Sequence, residues 1–137
     1  MLALEPAIVT RLRGELPGTW AVKGIFSDTG KREPDLLASV LFIDANVPAS
    51  DVPGALVRPF WAVTLMAKRS DADALAHLDT AFALVVEALQ GWAPGQVAGR
   101  RWERLQLASV KPPPYPDNGL VGVELVFSTS ARFDGQP

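Results

Sequence analysis

The chain has 137 residues, 48% hydrophobic and 20% charged, with a formal net charge of −2 and no cysteine. That make-up predicts one globular domain over residues 1–137 with its own core, and excludes a chain disordered over most of its length. The absent thiols exclude disulfide frameworks, iron–sulfur clusters, thiolate zinc sites and cysteine nucleophiles. The slightly negative total gives no overall attraction for nucleic acid or anionic membranes.

The opening Met1-Leu2-Ala3-Leu4-Glu5-Pro6 lacks the basic start and apolar run of a signal peptide. Nor does any stretch reach the roughly 18–20 apolar residues of a membrane helix, so a soluble protein made in the cytoplasm is expected. Residues 6–16 predict a first helix: Pro6 suits its opening turn, Ile8, Val9, Leu12 and Leu16 recur at helical spacing, and Pro17-Gly18 ends it. Trp20, Val22 and Phe26 alternate with Ala21, Lys23 and Ile25, which predicts a first strand over 20–26.

Residues 27–35 are polar and turn-like, as in a hairpin connection, before an apolar second strand over 36–43. A loop over 46–58, holding Pro48 and Pro53-Gly54, leads to a third strand over 59–67. The clearest helix spans 71–90, where Leu75, Leu78, Phe82, Val85, Val86 and Leu89 repeat at steps of three and four. Ser70 and Asp73 have the spacing of a capping box, and Gly91 is placed to stop the helix. A loop over 92–99 precedes two strands, 100–110 and 119–130. The order α-β-β-β-α-β-β predicts an α+β fold, a mainly antiparallel sheet of about five strands covered by the long helix, with a shorter N-terminal helix.

Few residues suggest chemistry. His77, the single histidine, lies four residues after Asp73 on the predicted helix, but one pair lacks the further ligands of a metal site or the nucleophile of a triad. A calcium loop starting at Asp71 would need glycine and an acid where the chain has Ala76 and Phe82. Gly91, Gly95 and Gly99 are spaced too widely, and follow a helix rather than a strand, so they match no phosphate-binding loop. These counts predict no catalytic residue, metal or cofactor. Pro112-Pro113-Pro114-Tyr115 has the form read by WW-type domains but reads better as a stiff connector, with Tyr115 an exposed contact or a lid. Arg100, Arg101 and Arg104 beside Trp92 and Trp102 suit either a solvated strand edge or a protein interface, since arginine and tryptophan often anchor interfaces. Stacking on nucleic acid is a weaker reading, because Glu103 dilutes the charge.

Three segments carry a family resemblance: the helix ending Arg11-Leu12-Arg13-Gly14-Glu15-Leu16-Pro17-Gly18, the helix from Leu75 to Leu89 ending at Gly91-Trp92, and the final strand from Leu120 to Ser130. In order and spacing they resemble the tail terminator and minor tail proteins of long-tailed bacteriophages. The resemblance implies a structural subunit of the virion tail, not an enzyme, assembled in the host cytoplasm. Such a subunit forms a homo-oligomeric ring, a hexamer, that stops polymerisation of the tail tube protein and meets the head–tail connector. DNA passes through it without specific binding.

A cyclic ring needs two different complementary patches on each subunit. The segments 48–58 and 92–104 are the candidates, giving interface residues Arg58, Trp92, Arg100, Arg101, Trp102 and Arg104, with Pro113 and Tyr115 at the proline bend. The rival readings are another neck or head–tail joining subunit, a nucleic-acid module, and a ferredoxin-like enzyme or ligand-binding domain in which acids such as Asp44 and Glu124 meet in space.

Overall fold

The computed structural model describes residues 1–24, 35–49, 53–113 and 119–134. Helix α1 (Leu4–Glu15) starts ahead of the predicted position and carries Pro6 in its first turn, where an N–H would have no intrahelical acceptor. Strand β1 (Ala21–Gly24) follows; Ile25 and Phe26 of the predicted strand lie outside the described residues. Strands β2 (Leu36–Asn46) and β3 (Ala55–Lys68) are longer than predicted, so the end of the expected 46–58 loop is strand. After helix α2 (Ala74–Leu89) come β4 (Gly95–Val97), β5 (Arg100–Trp102), β6 (Gln106–Lys111), β7 (Leu120–Ser128) and β8 (Ala131–Phe133). The predicted 100–110 strand is thus two strands, and β4 and β8 lacked the length to show a period in sequence.

The main sheet runs β1-β2-β3-β7-β6, with β8 also on β3, while β4 and β5 form a separate ribbon. Pairing is antiparallel except between β1 and β2, where Ala21 faces Leu37 and Gly24 faces Val40 in parallel. That polarity corrects the expected hairpin, because a hairpin reverses the chain and parallel strands need a crossover. An apolar pattern fixes which residues face the core but carries no strand direction. β8 keeps the register of β7: Phe60 faces Ser128 and Val57 faces Ala131. Pro59 stands between them, and with no N–H to donate it interrupts the ladder, although its carbonyl still accepts the Thr129 N–H at 3.4 Å.

One sheet face holds the core. Ala38 and Val40 of β2, Trp61, Val63 and Leu65 of β3, and Leu125 and Phe127 of β7 are buried there in one cluster with both helices. The long helix shares the cover with the shorter N-terminal one: α1 packs on β1 and β2, and α2 on β3, β7 and α1. Toward the sheet α2 presents Ala74, Leu78, Ala81, Val85, Ala88 and Leu89. Its small residues allow close approach, and the predicted stripe is rotated, leaving Leu75 74% exposed. No described helix is long and apolar enough to cross a membrane.

The expected capping box is absent. Asp73 is the N-cap and makes no side-chain cap bond; Asp71 Oδ1 instead accepts the Asp73 N–H at 2.9 Å. The Asp73 carbonyl accepts the His77 N–H at 2.9 Å as the first bond of the helix, but the His77 side chain turns to Asp71, with Nδ1 3.2 Å from Oδ2. Gly91, at φ +77°, ends the helix as predicted, in the left-handed region that costs glycine least.

Candidate functional site

Arg58, Trp92, Arg100, Arg101, Trp102 and Arg104 gather at one end of the sheet, where β3 begins, β7 runs into β8, and the β4–β5 ribbon leans on β8. The ribbon turns through Ala98 and Gly99, at φ 54° and 74°. Two positive φ values fit a two-residue hairpin loop whose twist matches its strands. From it Arg100 places its guanidinium carbon 3.6 Å from the centre of the Phe133 ring and donates from Nη1 to the Arg132 carbonyl at 2.8 Å. Trp102 meets the same ring edge-on at 6.2 Å and is 2% exposed, so its indole belongs to the core.

Arg104 donates from Nη1 to the Gly91 carbonyl at 2.9 Å, a cation at the negative end of α2. Trp92 is half-buried against the core, with the Arg11 guanidinium 5.4 Å from its ring centre. Thr129 Oγ1 donates to the Glu103 carbonyl at 2.6 Å and Glu103 N–H to Ser130, tying this segment to the β7–β8 junction. Arg101 is exposed opposite Gln96, and Arg58 is exposed opposite Asn46. Pro113 is half-buried, and Tyr115 lies outside the described residues.

Sequence reading missed Arg132, exposed on β8 opposite Leu56. Residues 58 and 132 are diagonal neighbours on one face, roughly 7–8 Å apart in ordinary sheet geometry. It also missed Leu41, Ile43 and Val47, which are 42%, 39% and 59% exposed along the far half of β2 and beyond. Their only signal was an apolar run continuing past the point where the core needed it.

The stacked arginine gives a measurable expectation. Arg100→Ala should lower stability by about 1 kcal/mol in thermal melts, and Arg100→Lys should not restore it, because a flat guanidinium stacks where an ammonium does not.

Glu124, 5% exposed, faces Thr64 across β3 and contacts Lys111 Nζ at 3.5 Å. Asp44 faces Phe60 on the opposite side of β3, so the two acids do not meet. Among the described residues no three His, Asp or Glu side chains group as metal ligands.

No protein-family model matches the chain, and no curated protein matches its sequence. Solved structures do match. Over 94% of its length the chain superposes on 94% of a chain in the virion of a native gene transfer agent (GTA) particle, with a TM-score of 0.64 and 20% identity. Over 100% of its length it superposes on 57% of a chain in the PVC sheath/tube terminator, in the extended state, of an extracellular contractile injection system, with a TM-score of 0.56 and 14% identity. The chain shares its fold with these two chains. It spans little more than half of the second of these chains. In this fold the arginine-rich end and the far half of β2 are among the surfaces of the described residues that the chain's own core leaves open.

Proposed function

We propose that the protein is a structural subunit of a phage-like tail, one domain that assembles into a hexameric ring at the head-proximal end. There it ends polymerisation of the tail tube and offers its other face to the head–tail connector. DNA passes through the ring without being specifically bound. The observation that carries this reading is the shared fold, matched over 94% of both chains with a component of a virion and over the full chain with a sheath/tube terminator. Arg58, Arg101 and Arg132 supply exposed donors at one end of the sheet, where they suit an acidic or polar partner surface.

Light scattering and negative-stain imaging of the purified protein test the proposal. Rings of six chain masses are expected, and Arg101→Glu is expected to weaken the ring or its attachment to tails while leaving the unfolding free energy within about 0.5 kcal/mol of the wild type, as for exposed substitutions. A protein that stays monomeric at high concentration and leaves tails unterminated would sink the reading. Rings found at the neck but absent from the tube end would instead favour a head–tail joining subunit, since the virion match does not itself specify a position.

A further inference from the structure

The two edges of the main sheet fit one another. β1 covers β2 only from Leu37 to Val40, so among the described residues 41–46 of β2 have no strand on their outer side. At the opposite edge β6 pairs with β7 alone, and five of its 6 residues are exposed. The two stretches are equal in length. They also run in opposite directions, because three antiparallel pairings separate them.

Both edges carry one bulge, at Ile43 and at Ala108. With 41 set against 111 and 46 against 106, the bulges fall one residue apart, Ile43 level with Ser109 and Ala108 with Asp44, and the sheet faces agree on either side of them. Phe42 and Ala45, opposite Trp61 and Pro59, lie on the helix-covered face. Val110 and Leu107, opposite Leu125 and Phe127, lie on that face too.

The backbone groups agree as well. The Pro59 carbonyl points to Thr129, away from β2, so by the alternation of an antiparallel ladder the N–H and C=O of Ala45 point outward. The Leu107 N–H also points outward, and is met at 2.7 Å by Oε1 of the exposed Gln90, a side chain standing where a strand would pair. Pro112 and Pro113 then stop β6 level with Val40 and Ser39, where β1 ends at Gly24, so among the described residues a second β6 would lie beside 41–46 and end where the pairing of β1 with β2 ends.

We infer that β6 of one copy adds to residues 41–46 of β2 in the next, antiparallel, with Phe42 opposite Val110 and Ala45 opposite Leu107, and that this head-to-tail contact joins subunits. It deepens the ring reading and rests on it. The contact is heterologous, as a cyclic assembly requires, and it covers Leu41, Ile43 and Val110, which are 42%, 39% and 47% exposed in the single chain.

The absence of cysteine makes the test direct. Asn46→Cys and Gln106→Cys together place thiols on the two edges. Three strand spacings of about 4.8 Å separate them within one chain, beyond the roughly 7 Å that a disulfide spans. Oxidation of the double variant should give a covalent ladder rising to the ring size on a non-reducing gel, while each single variant runs as one chain. Ala45→Pro, which removes an N–H that β3 does not use, should weaken self-association at least tenfold with an unchanged far-ultraviolet spectrum. Dimers from either single variant would show two-fold pairing of like edges and overturn the inference. Oligomers by light scattering without the ladder would overturn it while leaving the ring reading standing. A monomer throughout would overturn both.

Discussion

Trp61→Ala is expected to cost about 3–5 kcal/mol, the range for emptying a buried tryptophan site. Trp61 is 1% exposed on the central strand, opposite Phe42 on one side and Phe127 on the other, with the Phe42 ring centre 5.5 Å away at a tilt of 59°. The site cannot collapse, since β3 is held by ladders on both edges and α2 lies across it. Trp61→Phe should cost much less. The indole Nε1 is buried with no hydrogen-bond partner in the described structure, so phenylalanine loses volume but also removes an unsatisfied donor. Urea unfolding at constant slope checks both variants. A loss near that of alanine in the phenylalanine variant would show that the indole donor is satisfied in solution.

Gly122→Val should destabilise by about 3 kcal/mol or more, the upper end of what overpacking costs. Gly122 faces Met66 across the β3–β7 ladder. A Cβ there would run into the Leu65 carbonyl oxygen and come within 2.8 Å of Met66 Sδ. The sulfur can swing away, but the carbonyl belongs to a strand paired on both sides and cannot retreat without breaking register. The sign opposes intrinsic propensity, because valine favours strands over glycine. Gly14 in α1 is the control: a Cβ there meets nothing within 4 Å, so Gly14→Ala should stabilise by roughly 0.5–1 kcal/mol. A tolerated valine at 122 would mean that β3 and β7 are less tightly coupled than their pairing implies.

Much of the fold was legible because it rests on local patterns. The three-and-four spacing of Leu78, Phe82, Val85 and Leu89 announced α2, and Gly91 announced its end. The run from Leu36 announced β2, though its outer half carries apolar side chains that its own core does not need. The arginines and tryptophans of 92–104 were visible as a composition, but their division of labour was not. Trp102 faces inward, Arg100 stacks on Phe133, Arg104 sits on the end of α2, and Arg101 is left exposed. Each outcome depends on a partner from a distant part of the chain, and no spacing encodes that.

The sequence by itself determined the class: a cysteine-free α+β chain with two amphipathic helices and apolar strands, resembling tail terminators. Periodicity and capping residues act over a few positions, so they survive in a linear reading. Only the tertiary structure decided the parallel seating of β1, the shared helical cover, the continuation of β7 into β8, and the exposure of β6 at the sheet edge. Those are choices among pairings of similar local energy, settled by which arrangement buries both helices against one sheet face.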